Sequence, residues 1–257
     1  MLRSMYASVS SMLTLQARQS AITNNLANIN TTGYKAQSVV AKSFDEMVLH
    51  NRDDYEDGIS NEKKLGSLSF GVKIDETATD YNQGTLISTD NNTDFAIVGK
   101  GFFQVSDDAN NTYYTRDGSF KVNPQGYLVT NSGQYVMGTN SQTGATERIY
   151  VGQDLMTISP DNSIIINGEN KYKFNVMDFD NYDNLTQYGN NLYKGNNAVA
   201  SNSYSIKQKC LEGSNVDSIN EMAMMMQTVK EFEANQKVIQ TIDSTLSQIA
   251  SEVGKVR

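Results

Sequence analysis

The sequence predicts an α+β protein. Long N- and C-terminal helices pair as a coiled coil, and a central antiparallel β-rich domain lies between them. Three observations predict this. Apolar residues recur at seam spacing near both ends of the chain. Neither narrow seam can bury itself on its own helix. Between them the pattern changes to short runs of Val, Ile, Tyr, Phe and Thr cut by Gly, Asn and Asp.

The first element is the N-terminal helix. Leu2, Met5, Val9, Met12, Leu15, Gln19, Ile22, Leu26 and Ile29 step along the chain by threes and fours, with one 3–3 irregularity. No Gly or Pro interrupts residues 2–29, so the spacing predicts an uninterrupted rod about 42 Å long. "NNLANINTTGY" at 24–34 then closes it, because Asn and Gly are the residues that end helices in the left-handed region. Asn25, Asn28, Gly33 and Tyr34 join the seam residues as candidate assembly positions.

Residues 36–79 have an acidic middle and no sustained period, and they read as an extended connector. Residues 80–210 read as one β-rich domain. Within it Asn123-Pro124-Gln125-Gly126 is a turn, with Pro presetting φ and Gly accepting positive φ, and Asn167-Gly168 fits a type I′ hairpin.

The last segment, 211–257, holds the second helix. Met222, Met225, Val229, Phe232, Ile239, Ile242, Leu246, Ile249 and Val253 form its stripe, with Gln236 filling the gap and a 3–3 step at Ile239–Ile242. Such a step locally overwinds a supercoil. An antiparallel pairing of the end helices is expected to bring Gln19 and Gln236 near one another.

Composition excludes several functions. Lys and Arg number 21 against 29 Asp and Glu, a net charge of −8, with no basic patch to reward a phosphate backbone, so no nucleic-acid partner is expected. Cys210 is the one cysteine; it allows neither an internal disulfide nor a cysteine metal cluster. No apolar run reaches the roughly 18 residues of a membrane span. The N-terminus lacks the continuous apolar core of a secretory signal.

Chemistry is equally sparse. His50, the single histidine, lies in the polar connector and reads as solvated. Gly99-Lys100-Gly101 precedes strand-like residues and is a turn. "DFDNYDNLTQYG" at 178–189 fails as a calcium loop, since Tyr182 occupies a ligand position and Gly189 stands where Glu is needed. No catalytic residue, metal site, cofactor or small-molecule substrate is expected.

Three blocks carry a resemblance. "NNLANINTTGYK" at 24–35 resembles the signature of bacterial flagellar basal-body rod and hook proteins. "TDFAIVGKGFFQV…YYTRDGSFKVNPQGYLVTNSGQYVMG" is similar to the segment their subunits share, and "LEGSNVDSINEMAMMMQTVKEFEANQ" from 211 looks like their C-terminal block. Tyr34 stands where the family often has Phe, and Lys230-Glu231-Phe232 replaces a "QRAYE"-like run.

The resemblance implies a non-enzymatic rod subunit, distal or proximal, exported by the flagellar type III apparatus without a cleaved signal peptide. It implies helical assembly with itself and other axial proteins into a tube that transmits torque to the hook and lets export substrates pass. Residues 1–35 and 211–257 would then line the inner tube, and 80–210 would lie outside. Competing readings are a hook-type subunit, an adhesin, or a secreted cell-wall-acting enzyme using Asp53, Asp54, Glu56 and Asp57.

Overall fold

The computed structural model describes residues 2–56, 59–152, 154–201 and 203–254, with the side chains of Leu2, residues 51–63 and Val253 outside the described set. The chain divides into two compact units: Met1–Ala27, Gln37–Asp80 and Asp217–Arg257 form one, and Asn28–Ala36 with Tyr81–Val216 form the other.

The first unit is built on helices α1 (Leu2–Ala27) and α2 (Ser218–Gly254). Asp217 begins α2, its Oδ1 accepting the Ile219 N–H at 3.0 Å and so satisfying a first-turn donor. The helices run antiparallel, since two links cross between them in opposite chain order. Asn25 Nδ2 donates to Glu221 Oε1 at 2.9 Å, and Asn235 Nδ2 donates to Ser11 Oγ at 3.1 Å. Arg18 and Glu231 also approach, at 4.0 Å, but both are well exposed and add little.

The buried stripe of α2 is shifted from the one its apolar residues suggest. Glu221 and Thr228 are buried, and Met225, Phe232, Asn235, Ile239, Ile242 and Leu246 are half-buried. Those positions alternate by fours and threes without a break, so the irregular step read at Ile239–Ile242 vanishes. Met222, Val229 and Ile249 are instead exposed within this chain. The reason is chemical: every seventh inward residue at the start of α2 is polar (Glu221, Thr228, Asn235), and hydrophobicity alone passes over it.

On α1, Leu15, Ile22 and Asn25 are buried; Met5, Met12 and Leu26 are half-buried; Val9 is exposed. The helix ends at Ala27, so the half-buried Ile29 lies in the turn that follows and not on the helix expected to reach it. Gln19 and Gln236 are both exposed, and the register set by the two links does not bring them together. Leu2 and Val253 lie outside the described side chains.

Residues 37–79, read as a connector, instead form two antiparallel ladders. β1 (Gln37–Ser43) pairs with β4 (Val72–Thr79) from Gln37↔Thr79 to Ser43↔Val72. Between them β2 (Met47–Glu56) and β3 (Ile59–Leu68) pair as a long hairpin from Met47↔Leu68 to Glu56↔Ile59. β1 and β4 are exposed along most of their length, so neither carries the in–out alternation that advertises a strand. α1 lies on this ladder: Ser10 Oγ accepts the Val72 N–H at 3.3 Å. Gly71 (φ +133°) passes so close that a Cβ there would stand 2.3 Å from Ser10 Oγ.

The second unit is β-rich. β5 (Leu86–Ser88) pairs with Cys210–Glu212, and β6 (Phe95–Gly99) pairs with Tyr204–Gln208. β7 (Phe102–Ser106) and β8 (Thr112–Thr115) form a hairpin inside an antiparallel network that joins thirteen of the described strands. Phe95, Ile97, Phe103, Val105, Phe120, Leu128, Val136, Ile149, Ile164 and Phe174 fill its core. The sequence-predicted turns are present: Gly126 has φ +88°, and Asn167 and Gly168 both have positive φ, as type I′ requires.

Candidate functional site

The motif "NNLANINTTGYK" divides between the two units, and each half builds a buried polar node. The first node centres on Asn25, 2% exposed. Its side-chain amide is complementary to a backbone. Nδ2 donates to the Gln37 carbonyl at 2.8 Å while Oδ1 accepts the Gln37 N–H at 3.0 Å, so it starts β1 as a strand neighbour would. The same Nδ2 donates to Glu221, which ties α1, β1 and α2 at one point. Glu221 Oε2 is buried without a hydrogen-bond partner. Burial pushes its carboxyl above the usual range; the Asn25 bond opposes this, and the charge of Asp217 adds to it.

The second node centres on Glu212. Lys35 Nζ, fully buried, donates to Glu212 Oε1 at 2.6 Å and to the Asn82 carbonyl at 2.7 Å. Arg116 donates to Glu212 Oε2 at 3.0 Å and to the Gly99 carbonyl at 2.9 Å, with its guanidinium 5.2 Å from the Phe102 ring centre. The Gly84 N–H adds a third donor to the carboxylate at 3.1 Å. A buried carboxylate with two cations and an amide is well satisfied, and removing Glu212 leaves two buried cations without a counter-charge.

The backbone fixes this node as firmly as the charges do. The Gly33 N–H donates to the Glu212 carbonyl at 2.8 Å, and Thr32 Oγ1 donates to Asp117 Oδ1 at 2.7 Å. Gly33 has φ +67°, and a Cβ there would lie 2.4 Å from the Asp117 nitrogen, so no other residue fits. Burial raises the Asp117 carboxyl, the Thr32 and Ser119 bonds oppose this, and Asp94 adds to it. Asn28 accepts from Thr31, and the Ala36 N–H donates to Asn215 Oδ1 at 2.8 Å. Tyr34 is buried beside them.

The remaining assembly candidates line the helices. Leu15, Ile22, Met225, Phe232, Ile239, Ile242 and Leu246 point inward to varying degree, whereas Val9, Met222 and Val229 face outward. Sequence reasoning missed Lys35, Arg116, Glu212 and Glu221. Their types signal nothing singly; only the fold makes neighbours of residues so distant in the chain.

Three family models match in chain order: the flagella basal body rod protein over residues 5–35, the D1 domain of the flagellar hook protein FlgE/F/G over 96–168, and the C-terminal region of the flagellar basal body rod FlgEFG protein over 207–252. Each matched block supplies one member of the buried triad: Lys35, Arg116 and Glu212. Matched in this order, the three blocks define the class as flagellar basal-body rod and hook proteins.

Relatives extend the match. The chain is 31% identical to the flagellar hook-basal body complex protein FlhO of Bacillus subtilis over 100% of both chains. It is 32% identical to the flagellar basal-body rod protein FlgG of Buchnera aphidicola subsp. Baizongia pistaciae, over 91% of this chain and 94% of that one. A match to the flagellar hook protein FlgE of Helicobacter mustelae is 37% identical but spans 54% of this chain and 31% of that protein. The chain belongs to the flagellar basal-body rod and hook protein family. That family is structural and not enzymatic, and the chain is an axial subunit of the flagellar basal body.

Proposed function

We propose that this chain is a rod-type subunit that self-assembles helically, together with other axial proteins, into the tube that carries torque to the hook. Its coextensive match carries the reading: it spans FlhO completely and FlgG nearly so, but less than a third of a hook protein.

The paired ends form the inner-tube domain, and the β-rich residues 80–210 form the outer one. The unbroken four–three stripe of α2 supports a coiled-coil seam with α1, its polar layers fixing register at some cost in stability. The seam residues of both helices, from Leu2 to Val253, with Asn25, Asn28, Gly33 and Tyr34, serve assembly directly or by holding the helices that do. The subunit reaches the rod through the flagellar type III export apparatus, without a cleaved signal peptide.

The deciding experiment is a gene deletion followed by micrographs of purified basal bodies. Rods that stop short, without a hook, are expected. A motile deletion strain with complete hook–basal bodies overturns the rod assignment. The length of any residual rod separates a proximal from a distal position.

A further inference from the structure

The two helices each leave an apolar stripe that no part of their own unit covers. On α1 these are Tyr6, Val9 and Leu13, exposed at 67%, 42% and 60%. On α2 they are Met222, Met226 and Val229, exposed at 52%, 62% and 37%. Both stripes lie away from the inward faces, which are marked by Leu15, Ile22 and Asn25 on α1 and by Glu221 and Thr228 on α2.

The stripes cannot cover each other within one copy. The links Asn25–Glu221 and Ser11–Asn235 fix the antiparallel register and put the α1 stripe beside the middle of α2, with the α2 stripe at the other end of the pair. Their spacings are nonetheless reciprocal. Along α1 the stripe steps by three and then four; read backwards along α2, from Val229 through Met226 to Met222, it also steps by three and then four.

We propose that the stripes meet between two copies of this chain, α1 of one against α2 of the next, antiparallel, pairing Tyr6 with Val229, Val9 with Met226 and Leu13 with Met222. This rests on the self-assembly reading above and adds to it a register. Charge agrees with the same alignment. α1 contains Arg3 and Arg18 and no acidic residue, and this register brings exposed Arg3 beside exposed Glu233, the next position of the α2 stripe. Valine and leucine against methionine is a favourable pairing for a surface that must form late and adapt. The contact is heterologous, because the patch on one copy differs from the patch it meets, so it propagates and does not close on a dimer. The register differs from the one inside a copy by about eleven residues, which displaces successive copies by about 16 Å along the helices.

The test uses full-length protein in a Cys210→Ser background, with single cysteines placed in separate, differently mass-tagged preparations. Leu13→Cys is mixed with Met222→Cys, Val9→Cys with Met226→Cys, and, as a control, Leu13→Cys with Gln236→Cys, another exposed helix position. The mixtures are polymerised, sedimented and mildly oxidised. The geometry of a disulfide demands close Cβ atoms, so the first two pairs are expected to cross-link between tags while the control yields about tenfold less. Polymer that forms with the control pair as reactive as the first two, or with no inter-tag product, overturns this register and leaves self-assembly standing. Failure of the Cys210→Ser parent to polymerise at all overturns both.

Discussion

At the scale of single residues, Glu212 is the side chain on which most depends. Its carboxylate takes hydrogen bonds from Lys35, Arg116 and Gly84 while its carbonyl takes one from Gly33. Glu212→Ala leaves two cations buried together, and a loss of about 3–5 kcal/mol is expected, read by urea denaturation followed through tyrosine fluorescence. Replacing Lys35 with Met in that background is expected to recover part of the loss, because it removes one of the unpaired charges; a further loss would contradict the triad's electrostatic account. Gly33→Ala meets both the positive φ and the Asp117 backbone, so it should cost more than about 2 kcal/mol. An alanine protein as stable as the parent would show that the turn rearranges freely. Glu221 makes a separate pH prediction. Its carboxyl is raised by burial, so the folded unit binds a proton more readily than the unfolded chain, and stability falls as pH rises through the carboxylate range. Glu221→Gln keeps an acceptor for Asn25 and gives the orphaned position a neutral amide. It should flatten that slope and leave the variant at least as stable as the parent at neutral pH. A thermal midpoint that depends on pH equally in both proteins would argue against Glu221 as the source.

At the scale of elements, much of the architecture was legible and some of it was not. The two helices were readable because neither contains an interior breaker and both carry a stripe of apolar residues. The β-rich middle was readable because β-branched and aromatic runs end in Asn and Gly at turns that then show positive φ. The inward face of α2 was not readable in detail. Its polar positions Glu221, Thr228 and Asn235 are one residue away from the apolar Met222 and Val229 and from Gln236. Glu221 and Asn235 turn inward to partners on α1, and Thr228 satisfies its hydroxyl on the Met224 carbonyl of its own helix. The ladders of residues 37–79 were missed because their faces are mostly exposed, so composition and period gave no strand signal. The Asn25 node was equally hidden: an asparagine near a helix end reads as a terminator, whereas here it also seats the start of β1. Asn25→Ala should therefore do more than fray α1. It should free the Gln37 backbone groups and Glu221 together, costing about 2–4 kcal/mol as the sum of several unmet hydrogen bonds. Amide exchange at Gln37 and its β1 neighbours should accelerate more than exchange in the β-rich unit, and uniform acceleration across both units would dismiss the local role.

At the scale of the whole molecule, the lengths of the helices carry a consequence for assembly. α1 has 26 residues and α2 has 37. The register fixed by Asn25–Glu221 and Ser11–Asn235 sets the start of α1 against the region near Thr245, so the last turns of α2 continue past α1. These last residues, about ten in all, are already nucleated by the helix before them, but helical stability in proteins comes mostly from packing an apolar face, and without α1 beside it the end frays readily. Leu246 is only half-buried there and Ile249 is 44% exposed, which is apolar surface that a neighbouring copy can cover. The subunit should therefore keep this segment weakly protected as a monomer and order it on joining the rod. Hydrogen exchange on monomer and sedimented polymer distinguishes the outcomes. Amides of residues 245–254 are expected to exchange near the unprotected rate in the monomer and to slow by about a hundredfold or more in the polymer, whereas those around Glu221 and Thr228 are protected in both. A monomer that already protects 245–254 as well as 221–228 would mean that the chain end is stabilised without neighbours. The overhang would then be a finished helix, with no part in the step that commits a subunit to the tube.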